Sequence, residues 1–146
     1  MMKRFLVLFI GVFFLIGASG AAAGDVDPSG TYDFILSGTV VQGPCPMGKD
    51  GTGQLTIEKS GDGYVIKYLK GMVCNPPNVC VLMGSCKGDE CEFATTVPVD
   101  NEGGKVTNTA KLKFIMNHAE GSGGCVYQHP KMTCTWSYLL TLTKAD

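Results

Sequence analysis

Apolar side chains take every second position in a series of short runs that fill most of the chain after residue 30. In the first run, 31–41, the alternating apolar positions are Tyr32, Phe34, Leu36 and Val40. A period of two with many β-branched and aromatic residues is typical of a strand that buries one face and exposes the other. Similar runs occupy 53–59, 64–70, 79–87, 90–99, 105–116 and 132–144. In the run 105–116 the alternating apolar positions continue to Met116.

Glycine-, aspartate- and asparagine-rich segments separate these runs, as tight antiparallel links require. They lie at 48–53, 60–63, 87–90, 100–104, 120–124 and 128–131. No stretch after the N-terminal segment has a helical period. The pattern therefore predicts an all-β antiparallel meander of about seven or eight strands, either a closed barrel or a sandwich, with no helix.

The first 23 residues have the plan of a secretory signal peptide. Lys3 and Arg4 precede an apolar run from Phe5 to Ile16, and small residues end at Ala23. This order favours cleavage after Ala23, although an uncleaved membrane anchor is the alternative. We therefore expect a signal peptide at 1–23 and one β-domain at 24–146, secreted or periplasmic through bacterial export, with no membrane attachment after cleavage.

The charge pattern argues against nucleic acid as a partner. The net charge is −1, and acidic and basic residues are mixed along the chain. A nucleic-acid-binding domain normally carries a basic stripe, which this chain lacks.

The opening of the first strand, Gly30-Thr31-Tyr32, resembles the G-x-W opening of lipocalins and other calycins, with tyrosine in place of the family's tryptophan. The resemblance covers this tripeptide and the strand count, and it carries no binding residue over. It implies a small up-and-down barrel whose interior is either filled or holds one ligand.

All seven cysteines follow the predicted signal peptide, so they meet an oxidising environment and we expect disulfides. If Gly88 and Asp89 form a two-residue hairpin turn, Lys87 faces Glu90 and the next pair outward is a cysteine pair. Cross-strand partners lie within the range of disulfide Cα distances. The spacing therefore predicts a disulfide between Cys86 and Cys91.

The segment from Cys125 to Cys134 allows two registers. A loop centred on His129-Pro130 places Cys125 opposite Cys134, whereas a turn with Pro130 at its second place puts Cys125 opposite Trp136. Cysteine matching favours the first register and hence a Cys125–Cys134 disulfide.

Cys45, Cys74 and Cys80 are then left, and a third disulfide could join any two of them. Because seven is an odd number, at least one cysteine is left without an intramolecular disulfide, and we expect it among these three. An exposed leftover thiol could link two chains as a covalent dimer.

The sequence carries few of the motifs that are typical of catalysis or metal binding. No C-x-x-C pair occurs, and no G-x-S-x-G or phosphate-loop motif is present. The two histidines, His118 and His129, lie in separate turn segments. We therefore expect no catalytic residue, no metal and no cofactor; the alternative is a metal-binding protein or an enzyme that uses the unpaired cysteine with a histidine.

Two loops rich in cysteine and proline are the candidate binding residues: Cys45, Pro46 and Met47, and Asn75, Pro76, Pro77 and Asn78. Loops braced by proline or by a disulfide lose little conformational entropy on binding. We expect an exported, non-catalytic binding protein whose partner is either a protein or a small apolar ligand. Enzyme inhibition is one role of this kind.

Overall fold

Eight antiparallel strands form a closed barrel in the computed structural model, which describes residues 24–146. Each strand pairs with the next along the chain, and the last pairs with the first. The strands are β1 Gly30–Gln42, β2 Gly51–Ser60, β3 Gly63–Lys70, β4 Val81–Lys87, β5 Glu90–Pro98, β6 Lys105–Ile115, β7 His118–His129 and β8 Met132–Lys144. The predicted all-β antiparallel meander is confirmed, and of the two predicted arrangements, barrel and sandwich, the closed barrel forms. The predicted signal peptide at 1–23 lies outside the described residues.

Two departures from the predicted elements concern local structure. A short 3-10 helix, Pro77–Cys80, lies between β3 and β4 although no helix was expected. The segment 120–124, predicted as a turn, lies inside β7. Glycine serves a packing role there, because a Cβ added at Gly123 would collide with the ring of Tyr138. A glycine-rich segment can therefore continue a strand where a large side chain comes close to the backbone.

Large side chains fill the middle of the barrel. The rings of Tyr32 and Phe114 meet edge to face with centroids 6.0 Å apart. Phe34 and Tyr68 meet in the same way at 5.4 Å. Smaller apolar side chains complete the core around them, among them Leu55, Ile57, Ile66, Leu82, Leu112, Leu140 and Leu142. The interior of the described barrel is therefore a packed core.

Two apolar positions that were expected to face the core lie in solvent. Val40 is 55% exposed, because the register between β1 and β8 shifts between Ser37 and Val40. A bulge of this kind adds a residue to one strand and reverses the alternation beyond it. Met116 is 90% exposed since it belongs to the turn between β6 and β7, where its φ is 55°.

The two ends of the barrel differ. At one end, which we call the turn end, tight turns join β2 to β3, β4 to β5 and β6 to β7, and the N-terminal segment lies across them. The Val26 amide donates to the Gly88 carbonyl at 2.9 Å, and the Tyr32 hydroxyl donates to the Pro28 carbonyl at 2.9 Å. The opposite end, the loop end, carries the longer connections 43–50, 71–80 and 99–104 and the β7–β8 turn.

In the part of the chain that the structure describes, no helix has the length and apolar character needed to cross a membrane.

Candidate functional site at the loop end of the barrel

One disulfide staples the turn end. Cys86 and Cys91 are directly paired across β4 and β5, with Cα atoms 4.0 Å apart, and they are bonded as the sequence predicts. Lys87 faces Glu90 across a two-residue turn in which Gly88 has a φ of 64°. Glycine accepts this positive φ without a steric cost, so the local turn sets the cysteine pairing.

The expected Cys125–Cys134 disulfide does not form. The turn between β7 and β8 consists of Pro130 and Lys131, and this register places Cys125 opposite Trp136. Proline suits the second place of such a turn because its φ is already fixed there. Cys134 instead bonds to Cys45, with Cα atoms 5.8 Å apart.

The remaining disulfide joins Cys74 to Cys80, with Cα atoms 5.5 Å apart. The unpaired cysteine of the described chain is therefore Cys125, and its expected place among Cys45, Cys74 and Cys80 is wrong. Three disulfides in one small barrel suggest an oxidising, extracellular type of environment.

The loop 43–50 is tied to the barrel wall at three points. Besides the Cys45–Cys134 disulfide, the indole Nε1 of Trp136 donates to the Pro46 carbonyl at 3.0 Å. The backbone amide and hydroxyl of Thr39 donate to Asp50 Oδ1 at 2.9 and 2.8 Å. These two hydrogen bonds lower the pKa of the Asp50 carboxyl.

Met47 stands out from this tethered loop with 86% of its surface exposed. Pro46 beside it is exposed as well, while Cys45 is half-buried. The tethers therefore hold an apolar side chain in water, where it gains no stability from burial.

The loop 71–80 has a buried base and an exposed tip. Val79 and Cys80 are 4% and 3% exposed and belong to the core. The Asn108 side-chain amide donates to the Val79 carbonyl at 2.6 Å, and this bond fixes the base across the barrel mouth. At the tip Val73 is 89% exposed, and Asn75, Pro77 and Asn78 are exposed too, whereas Pro76 is half-buried.

The loop 99–104 lies beside the end of the β7–β8 hairpin at the loop end. The Tyr127 hydroxyl donates to Asp100 Oδ2 at 3.3 Å, and His129 Nε2 lies 3.4 Å from Glu102 Oε2. The backbone amide of Gly104, at 2.7 Å, is the main cause that lowers the pKa of the Asp100 carboxyl. This side of the mouth is polar and acidic, in contrast to the apolar tips of the other two loops.

Polar side chains also line the inner wall below the loops. Burial raises the pKa of Tyr68, and it raises that of Tyr138 to about 12, so both phenols are neutral at physiological pH. The Tyr68 hydroxyl and Asn108 Oδ1 are buried without a hydrogen-bond partner among the residues described.

Within residues 24–146 the two histidines and the free cysteine do not come together. Nowhere in residues 24–146 do three or more histidine, cysteine, aspartate or glutamate side chains form a group that could hold a metal. His118 lies at the turn end, 2.9 Å from Glu120, while His129 lies at the loop end. Cys125 is four residues from His129 on β7, about 13 Å along a strand, and burial raises the pKa of its thiol. An activated catalytic cysteine has the opposite shift, so Cys125 lacks this mark of a catalytic nucleophile at neutral pH.

Sequence reasoning placed Cys45, Pro46, Met47, Asn75, Pro76, Pro77 and Asn78 in two separate loops, and the meander brings both loops to one end of the barrel. It missed Val73, whose only signal is an apolar residue inside a glycine- and proline-rich loop. It also missed the anchors Trp136 and Asn108, whose contacts join residues distant in the chain.

The fold and the site together define a closed eight-stranded barrel that carries two disulfide-braced loops at one end. Comparisons with family models, with curated proteins and with solved structures find no match for this chain.

Proposed function

We propose that this chain is an exported, non-catalytic binding protein that contacts a protein partner through the loops 43–50 and 71–80. The observation that carries the proposal is the exposure of Met47 and Val73, 86% and 89%, at the tips of two loops that are each tied by a disulfide. Exposed apolar side chains on rigid supports are typical anchors of protein interfaces, because they bury area with little loss of entropy.

The packed interior favours a protein partner over a small apolar ligand. Tyr32, Phe34, Tyr68 and Phe114 occupy the middle of the barrel, where a lipocalin-like ligand would sit. Two of the most exposed apolar side chains, Met47 and Val73, lie instead on the braced loops. Apolar tips on braced loops suit insertion into the cleft of a partner, as enzyme inhibitors do.

Export and kinship are part of the same proposal. The N-terminal sequence 1–23 has the order of a signal peptide, and the three disulfides suit an oxidising compartment. The barrel is consistent with a lipocalin-like fold, and Gly30-Thr31-Tyr32 supports a place among the calycins.

The test uses the protein of residues 24–146, immobilised and exposed to the periplasmic or secreted proteins of the producing cells. The loop variant carries Met47→Ser and Val73→Ser. The matched control carries Ile35→Ser and Leu139→Ser, which remove apolar groups that are 52% and 60% exposed on the outer wall. We expect the wild type and the control to retain the same partner and the loop variant to lose it.

Equal retention by all three proteins, or loss with the control alone, would contradict the proposal. Mass spectrometry of the intact protein provides a second measurement. A lipid or other apolar molecule that copurifies with the barrel would show that the interior, rather than the loops, is the binding site.

A further inference from the structure

A free cysteine and a disulfide-bonded cysteine share the inner wall at the loop end. Cys134 and its disulfide partner Cys45 join β8 to the loop 43–50, and the free thiol of Cys125 lies on the neighbouring strand β7. Cys125 is opposite Trp136, and Cys134 is opposite Tyr127, so the two cysteines are diagonal cross-strand neighbours. Alternation along a strand places them on the same face.

The buried residues of both strands show that this face is the inner one. On β8 the buried side chains of Cys134, Tyr138, Leu140 and Leu142 are separated by even numbers of residues and so lie on one face. On β7 Ala119 is buried, and an added Cβ at Gly123 would meet the Tyr138 ring, which places Cys125 on the same face two residues further. A thiol and a disulfide therefore lie side by side inside the barrel mouth.

We propose that Cys125 exchanges with the Cys45–Cys134 disulfide, so that the protein has two alternative pairings and moves its free thiol from the inner wall to Cys45 on the loop 43–50. The exchange would regulate the proposed binding surface on the loop 43–50, and in that respect the proposal rests on the proposed function. The exchange itself requires only the three cysteines of this chain.

The step is an internal thiol–disulfide exchange. The Cys125 thiolate attacks Cys134 Sγ, the new Cys125–Cys134 bond forms, and the Cys45–Cys134 bond breaks. The leaving Cys45 thiolate takes up the proton that Cys125 released. One disulfide and one thiol are present before and after, so no external oxidant or reductant is consumed.

Only a small movement of the hairpin is needed. Diagonal neighbours have Cα atoms about 7–8 Å apart, and disulfides span about 4.4–6.8 Å, so the strands must approach by roughly 1–2 Å. The hairpin ends at the exposed turn Pro130-Lys131, and the pairing of β8 with β1 begins only at Thr135, so the end of β8 that carries Cys134 is held by β7 alone.

The surroundings of Cys125 favour a protonated, slowly reacting thiol in the resting state. Asn108 is its direct partner on β6, is 6% exposed, and has an unpaired Oδ1. The titratable groups on the same inner wall are Tyr127 and His129 on β7, Tyr138 on β8 and Tyr68 on β3. Burial raises the pKa of the Cys125 thiol, so the reactive thiolate becomes more abundant as pH rises.

Exchange would change the loop 43–50 without freeing it fully. The Trp136–Pro46 and Thr39–Asp50 hydrogen bonds would still hold the loop to the barrel. Its covalent tether would be gone, and the free thiol would lie on Cys45, two residues from the exposed Met47.

The test is disulfide mapping of the protein of residues 24–146 at low concentration, without a partner. Samples are held at pH 6 and at pH 9, acid-quenched, denatured, labelled with N-ethylmaleimide and digested without reduction. At pH 6 we expect the label on Cys125. At pH 9 part of the label should move to Cys45, together with a new Cys125–Cys134 peptide, and the initial rate should rise about tenfold per pH unit below the thiol pKa.

Two variants complete the test. Cys125→Ser should keep Cys45 unlabelled at both pH values. Cys45→Ser, folded in the presence of oxidised glutathione, should bond Cys125 to Cys134 and keep the far-ultraviolet circular dichroism spectrum of a β-protein. The Cys86–Cys91 pair serves as an internal control and should stay intact.

The proposal is overturned if the label stays on Cys125 at pH 9. It is also overturned if Cys45 pairs with Cys125, or if Cys45→Ser folds with both remaining thiols free. None of these results bears on partner binding by the loops, and equal retention of the partner by the loop variant, which would contradict the proposed function, would leave the exchange intact.

Discussion

The three disulfides should contribute very unequally to stability, because they close segments of very different length. Cys45–Cys134 spans 89 residues, whereas Cys74–Cys80 and Cys86–Cys91 span 6 and 5. In the chain-entropy model the loss on removal grows with the logarithm of the closed segment. The model gives about 4.5 kcal/mol for the first disulfide and about 2 kcal/mol for each of the others.

The experiment compares three double variants in which both cysteines of a pair are changed to alanine. The pairs are well matched, since each joins one half-buried cysteine to one buried cysteine. The buried members are Cys134, Cys80 and Cys91, which are 1%, 3% and 1% exposed. Alanine therefore removes similar packing in each case, and the difference reports mainly the cross-link. Urea unfolding followed by circular dichroism gives the free energy of unfolding by linear extrapolation.

We expect the loss for Cys45→Ala with Cys134→Ala to be about twice that for either short pair. Equal losses for all three, or a larger loss for Cys74→Ala with Cys80→Ala, would refute the reasoning from segment length. The second result would instead indicate that the short disulfide holds the base of loop 71–80 in the core.

Three further predictions concern single residues. Asn108→Asp should destabilise the barrel by about 3–5 kcal/mol at neutral pH, because it puts an unpaired charge beside the Val79 carbonyl; urea titrations should show the loss shrinking as pH falls and the carboxyl is protonated. Gly123→Ala should cost about 1–3 kcal/mol through collision with a tyrosine ring on β8, whereas Gly51→Ala, with open space around the added Cβ, should be nearly neutral in the same assay. The pKa of the Asp50 carboxyl is lowered from 3.8 in the folded state, so the ionised carboxylate stabilises the fold above pH 3.8, and this stabilisation is lost as pH falls through the lowered pKa. The difference in the free energy of unfolding between the wild type and Asp50→Asn should therefore shrink in acid. A difference that stays constant with pH would contradict this prediction.

Local rules were enough wherever a structural decision involved only neighbouring residues. The β4–β5 hairpin is the clearest case, because a two-residue turn at Gly88-Asp89 sets the register and thereby pairs Cys86 with Cys91. The all-β class followed from the same kind of information. Alternation of apolar and polar residues is a property of each strand by itself, and it recurs along the whole domain.

The same local rules failed where packing across the barrel decides the outcome. The segment 120–124 reads as a turn, yet it continues β7, where Gly123 makes room for a ring on β8. The bulge after Ser37 turned Val40 outward; Gly38, whose φ is 63°, lies in this bulge and is the one signal of it in the run.

The sequence by itself predicted a disulfide-stapled β-domain and pointed to two loops rich in cysteine and proline as candidate binding residues. Only the tertiary structure decided that the barrel closes, that both loops stand at one end, and that Cys134 bonds to Cys45 rather than to Cys125. The physical reason is sequence distance. A contact across 89 residues depends on how every intervening strand is registered, whereas a hairpin turn depends on a few dihedral angles.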